Sequence, residues 1–312
     1  MIEISVIVPT YNEEGNLDLL HTRLSEVMQR IGQPYELIFI NDGSKDRTLE
    51  LERALAQKDP CVKYIDLSRN FGHQIAVSAG LDAARGQAIV IIDADLQDPP
   101  ELIIDMYAKL RTGFHVVYAK RKARQGENFM KKFTAKLFYR LLSRITSFSI
   151  PVDTGDFRIM DKKVVDALKQ MPESNKFLRG QIAWIGFNQT FVEYDRQQRH
   201  AGTTGYTYKK MINFALNGIT AFSNAPIKWV TMAGFMVSVV AFLMIIMSFV
   251  VRIFYAHLSE PGWASIMVGM MFLGGVQLIS LGIIGEYISR INSDVKRRPL
   301  YFVKETNVSS EI

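Results

Sequence analysis

The chain has 312 residues, 48% hydrophobic and 22% charged, with a mean hydropathy of +0.06 that suits a soluble body carrying a small membrane part. This excludes intrinsic disorder and collagen-like or low-complexity classes, and at ~150 residues per domain the length allows about two domains. The single cysteine, Cys61, excludes an intrachain disulfide framework and multi-cysteine zinc sites, while the net charge of +6 leaves nucleic acid, anionic lipid and phosphorylated substrates open until the basic residues are located.

The first residues, MIEISVIVPTYNEEG, lack a basic n-region and hold only a short apolar run, so a signal peptide is not expected. Up to about Thr112 the chain alternates in the manner of an α/β unit. Apolar runs at 3–9, 36–41, 62–67 and 88–93 predict buried strands, and the stretches 15–31, 46–57, 73–84 and 101–111 predict helices between them. Near-continuous β-branched runs separated by helices imply a parallel sheet covered on both faces. In such sheets ligands bind beyond the carboxyl ends of the strands, so the residues after each run carry the information.

After the first run comes Pro9-Thr10-Tyr11-Asn12-Glu13-Glu14. Asn12 reads as a helix N-cap; Tyr11 and Glu13 are not needed for capping and suit stacking on, and hydrogen bonding to, a ligand. No G-x-G-x-x-G follows, which removes most support for NAD or FAD. After the second run, Ser44 can cap the next helix and Asp46 suits its positive end. Asp42, at the strand tip, either receives a base or ribose or is an ordinary turn residue. The fourth run leads into Asp93-Ala94-Asp95-Leu96-Gln97-Asp98-Pro99-Pro100-Glu101. Asp98, Pro99 and Glu101 form a helix start, which leaves Asp93 and Asp95 to explain. At spacing two in extended chain they point the same way, and two such charges repel unless a cation lies between them. With Gln97 they make an all-oxygen site for Mg²⁺ or Mn²⁺ that also holds substrate phosphates; a plain acidic loop is the alternative.

Taken in order, VIVPTYNEEGNL, INDGSKDRT, SRNFGHQIAVSAGL and IIDADLQDPPE resemble the family 2 GT-A glycosyltransferases. More narrowly, the chain is similar to the polyprenyl-phosphate sugar transferases, such as dolichol-phosphate mannose synthase and, closer, the bactoprenol (undecaprenyl-phosphate) glucosyltransferases with a C-terminal two-span hairpin. The resemblance implies a GT-A, Rossmann-like, mostly parallel sheet and a nucleotide-sugar donor, with Pro9, Tyr11, Glu13 and Asp42 around the nucleoside and Asp93, Asp95 and Gln97 at the metal and diphosphate. It also implies catalytic roles for Asp95 and for Asp156, within Asp153-Thr154-Gly155-Asp156-Phe157-Arg158, as base or acceptor-orienting group. Arg121, Arg199, Thr204 and Lys209 are assigned to the acceptor phosphate. Gly205 stands where the family carries a lysine, a contact that Lys209 or Lys210 would replace.

Residues 128–148 place Phe129, Phe133, Leu137, Leu141 and Ile145 every fourth position beside a stripe of Lys132, Lys136, Arg140 and Arg144, the pattern of an interfacial helix or of a core-facing helix with a solvated basic edge. A second amphipathic stretch, 206–225, leads to two apolar runs, 226–254 and 264–288, each long enough to span a bilayer. Phe254, Tyr255 and Trp263 flank the short connection at belt positions. Lys209, Lys210 and Lys228 precede the first run; Arg290, Lys296, Arg297, Arg298 and Lys304 follow the second. The positive-inside rule then places a catalytic domain at 1–205 and a basic tail at 289–312 on the cytoplasmic side of a multi-pass protein of the plasma or inner membrane. Basic residues beside membrane segments argue against nucleic acid as partner.

The resemblance implies an inverting hexosyltransferase that moves a hexose, glucose from UDP-glucose by the closer relatives, to undecaprenyl phosphate, supplying a lipid-linked sugar for envelope glycans. GDP-mannose as donor, and a non-catalytic sugar-nucleotide-binding protein, are the alternatives; homo-oligomerisation is left open. A processive polysaccharide synthase is disfavoured, because Gln197-Gln198-Arg199-His200 lacks the spacing and tryptophan of a Gln-x-x-Arg-Trp motif.

Overall fold

Four of the strands run parallel because each is apolar on both faces and is followed by a helix that returns the chain across the sheet. In the computed structural model, which describes residues 1–122, 154–195, 225–254 and 262–308, these are β1 (Ile4–Thr10), β2 (Tyr35–Asn41), β3 (Val62–Leu67) and β4 (Ala88–Ile91). The helices between and after them are α1 (Leu17–Ile31), α2 (Thr48–Lys58), α3 (His73–Ala83) and α4 (Leu102–Arg111). All eight lie where the sequence pattern predicts them. Then follow β5 (Val116–Arg121), β6 (Thr154–Asp161), α5 (Lys162–Lys169), α6 (Leu178–Ile185) and β7 (Gln189–Tyr194).

The eight-stranded sheet has the order β7-β5-β6-β4-β1-β2-β3-β8, where β8 is Val303–Thr306. β4-β1-β2-β3 and β5-β7 are parallel, whereas β6 runs antiparallel to both β4 and β5 and β8 runs antiparallel to β3. Alternation along the strands splits the core into two layers. Ile4, Val6 and Val8 join Leu17, Leu20, Leu24, Leu37 and Phe39 on one face; Ile7, Ile38, Ile40 and Ile65 join Ala76, Val77 and Ala79 on the other. On that second face α3 lies so close to the sheet that a Cβ on Gly80 would come within 2.4 Å of Ile7 Cγ2.

Two long helices, α7 (Ala225–Phe254) and α8 (Trp263–Val295), form a separate unit. Within them Pro226–Met244 and Gly269–Val295 are long and apolar enough to cross a membrane, and neither is buried by protein. Thirty helical residues extend about 45 Å, more than the ~30 Å of bilayer hydrocarbon. The sequence reading ends the second span at residue 288 and treats 289–312 as a tail. The helix instead continues to Val295, and Val303–Thr306 closes the edge of the sheet. The amphipathic stretches 128–148 and 206–222 lie outside the described residues.

Candidate functional site

The carboxyl ends of β1, β2 and β3 surround a cleft of about 460 Å³ lined by Tyr11, Gly43, Ser44, Lys45, Asp66, Arg69 and Lys304, among others. Its floor is made by two loops locked together. Asn12 Oδ1 accepts from Lys45 N–H at 2.8 Å, and Ser44 Oγ accepts from Asn12 N–H at 3.0 Å. These bonds replace the caps expected of both residues: α1 starts at Leu17 after Asn16, and α2 at Thr48 after Arg47. Gly43, at φ +70°, lets the β2–α2 loop touch the next one, where a Cβ would stand 2.6 Å from Asn70 N.

Tyr11 is 44% exposed and lines this cleft. Pro9 is buried within β1, and Glu13 accepts from the Asn16 side chain at 2.6 Å. Asp42 is buried, and its two oxygens accept from the backbone N–H groups of Phe71 and Gly72 at 2.7 and 2.9 Å. Burial pushes its carboxyl up, and those two hydrogen bonds oppose the shift. Asp42 therefore ties the start of α3 to the end of β2 and is not among the residues lining the cleft.

Beside the cleft, past the end of β4, charged groups converge. Asp156 on β6 accepts from Arg179 Nε at 2.8 Å and pairs with His73 Nε2 at 3.1 Å; Arg158 Nη2 lies 3.6 Å away. Asp156 and Arg158 share a face because they are two apart on one strand. Burial opposes ionisation of Asp156, but Arg179 above all, then His73 and Arg158, hold its carboxyl well below the usual range. His73 Nε2 also stands 3.7 Å from Asp93 Oδ1. Desolvation lowers the His73 pKa, but the hydrogen bond to Asp156 and the charges of Asp93 and Asp156 outweigh it and raise the ring to about 9. Burial raises Asp93 to about 6; His73 opposes this, while Asp156, Asp98 and Asp95 add to it.

β4 ends at Ile91, so Asp93 and Asp95 lie past the strand rather than in the extended chain expected from their spacing of two. Asp95 instead sits in a tight turn: its Oδ1 accepts from Gln97 N–H at 3.1 Å, with Leu96 at φ +58°. Asp98 is likewise no helix cap. It is buried and accepts from the Tyr194 hydroxyl, next to Arg121, whose Nε reaches the same hydroxyl at 3.3 Å. Among the described residues no three His, Cys, Asp or Glu side chains surround one point. A Mg²⁺-type site needs fewer, since one or two carboxylates, waters and substrate phosphates complete it. Asp93 Oδ1 is buried without a hydrogen-bond partner, 3.7 Å from His73 Nε2, so this oxygen can take a divalent cation, with Asp95 and Gln97 following it in the same turn.

Arg199, Thr204 and Lys209 lie outside the described residues. His73, Arg158 and Arg179 carry no role in the sequence pattern alone. The signal for His73 was available, because it opens the helix after the third strand, where the strand-end rule points. Arg158 shows itself by its spacing of two from Asp156.

The family model described as Glycosyl transferase family 2 matches residues 5–169. An uncharacterized glycosyltransferase of Bacillus subtilis is 50% identical over 98% of this chain and 94% of its own. A bactoprenol glucosyl transferase of Shigella phage SfII is 40% identical over 98% of this chain and 99% of its own. Among solved structures, glucosyl-3-phosphoglycerate synthase from Mycobacterium tuberculosis, in complex with Mn²⁺, UDP and phosphoglyceric acid, is similar at a TM-score of 0.48 and 18% identity, covering 70% of this chain and 76% of that one. With a family match over more than half of its length and relatives aligned across nearly all of it, the chain belongs to glycosyl transferase family 2.

Proposed function

We propose that the protein moves one glucose from UDP-glucose to a polyprenyl phosphate at the cytoplasmic face of a membrane. The observation that carries this reading is a cleft able to hold a nucleoside beside a cluster of carboxylates paired with His73 and two arginines, in a chain that also has two membrane-length helices. The 40% identity to proteins named bactoprenol glucosyl transferase supports the lipid acceptor. A soluble donor and a membrane-bound acceptor are then brought together by tethering the sheet to the bilayer.

In this reading Tyr11 stacks on the base of the donor. Asp93, Asp95 and Gln97 would hold a divalent ion, Mg²⁺ or Mn²⁺, which would supply positive charge to the diphosphate leaving group. An oxygen of the acceptor phosphate attacks C1 of the sugar, the bond from C1 to the diphosphate breaks, and UDP leaves with the electron pair. The acceptor is largely dianionic near neutral pH, its second pKa being ~6, so no proton has to be removed from it. Asp156, held ionised by Arg179, His73 and Arg158, is a weak base suited to orienting the acceptor site. In-line attack inverts the anomeric centre and gives a β-linked lipid from an α-linked donor.

The test is a donor screen with the full-length protein, undecaprenyl phosphate and Mg²⁺ or Mn²⁺, reading product mass and anomeric configuration. UDP-glucose is expected to give a β-linked monoglucosyl lipid. Mannolipid from GDP-mannose would reassign the donor. Donor binding without any glycolipid would leave a binding protein.

A further inference from the structure

Asp66, at the end of β3, is 3% exposed, and only one of its oxygens is used by the protein. Oδ1 accepts from the Asn41 side chain at 2.7 Å, whereas Oδ2 is buried with no hydrogen-bond partner. A buried carboxylate oxygen left in this way is costly unless something donates to it. Its cationic neighbour is Lys304, whose Nζ stands 3.8 Å away, within Coulombic reach and beyond a hydrogen bond. Both residues line the same cleft as the exposed Tyr11.

Lys304 comes from the far end of the chain, beyond both apolar helices, and the local geometry aims it. β8 pairs Asp66 with Glu305 and Leu67 with Val303, so Lys304 is the extra residue of a bulge in the ladder. Bulges re-aim side chains at sheet edges and next to binding sites. The strand is pinned by its neighbour: Glu305 takes the Arg53 guanidinium and accepts from the Tyr64 hydroxyl at 2.6 Å. Anchoring is thus done by Glu305, and Lys304 is left 67% exposed at the cleft.

We infer that Asp66 and Lys304 together bind the edge of the donor's nucleobase, so that the strand after the second apolar helix is part of the donor site. The inference rests on the cleft taking the nucleoside of a nucleotide sugar. A base edge with an N–H next to an acceptor satisfies both groups: in uracil, the N3 hydrogen goes to Asp66 Oδ2 and the adjoining carbonyl accepts from Lys304, with the ring against Tyr11. Only one Asp66 oxygen lacks a hydrogen bond, which suits a single imide N–H.

The experiment is calorimetric binding of UDP and of N3-methyl-UDP, in Mg²⁺, to the detergent-solubilised full-length protein and its Lys304→Gln and Asp66→Asn variants. Loss of a hydrogen bond to a charged group weakens binding by about tenfold or more. Lys304→Gln is expected to weaken UDP by about that factor, and wild type to prefer UDP over its N3-methyl analogue by as much. Asp66→Asn should bind UDP more weakly and lose that preference. Lys304, being exposed, can be replaced without disturbing the fold, so the proposal does not depend on the buried variant alone. UDP binding that is indifferent to Lys304 and to N3 methylation overturns the inference and leaves the donor reading standing. Failure of the wild type to bind UDP overturns both.

Discussion

His73 and Asp156, 83 residues apart in the chain, meet at 3.1 Å, and the same imidazole nitrogen faces Asp93 at 3.7 Å. One ring therefore stands between a carboxylate two residues past the end of β4 and the one on the antiparallel strand beside it. His73→Ala should lower transfer by about tenfold or more, the cost of leaving charged partners without a hydrogen bond, with secondary structure intact. Glycolipid formation by the purified variant checks this, and near-normal turnover would remove His73 from the site.

Asp95→Asn should reduce transfer by about a hundredfold or more, since loss of even an outer partner of a metal site costs 10–100-fold. Membrane insertion and folding should be unaffected, because Asp95 is partly exposed and its turn can be held by an asparagine oxygen. The companion measurement is Mn²⁺-dependent binding of UDP. Unchanged metal dependence would take Asp95 out of the cation site.

Glu52 is fully buried, and burial foremost pushes its carboxyl up to about 8, against the hydrogen bond from Thr10. Below its ordinary value of 4.5 both the folded and unfolded chains hold the proton, and stability is full. As pH rises from there through about 8, the unfolded chain releases a proton that the folded one keeps, so stability falls. Glu52→Gln keeps an acceptor for Thr10 and cannot ionise. Its Tm should fall less between pH ~5 and ~8 than the wild type's, at about 2–4 °C per kcal/mol for a domain of this size. Parallel curves would show that Glu52 is ionised in the fold.

Gly80→Ala places a methyl 2.4 Å from Ile7 Cγ2 and 2.8 Å from Ile40 Cδ1. Overpacking of this kind costs about 1–3 kcal/mol. A fall in Tm of several degrees, without a change in UDP affinity, is expected. No loss would mean that α3 can move off the sheet freely.

The four parallel strands and their helices could be read from the sequence because each is a local pattern: an apolar run, a turn, an amphipathic repeat. Tyr11, Asp93 and Asp156 could be singled out because they follow strands or fall in motifs. The roles of Asn12, Ser44 and Asp98 could not. Each looked like a cap by its neighbours in sequence, and each is instead bonded to a group about 30 or more residues away, Lys45, Asn12 and Tyr194 respectively. Lys304 shows the same thing at greater range. In the sequence it belongs to a run of basic residues after an apolar segment, and only strand pairing brings it to Asp66.

That pairing sets an order on biosynthesis. The ribosome makes residues 303–306 only after both apolar helices, so the sheet's last strand is added once the hydrophobic hairpin has already been translated. A nascent chain arrested before that point has an open sheet edge at β3 and a cleft missing one wall.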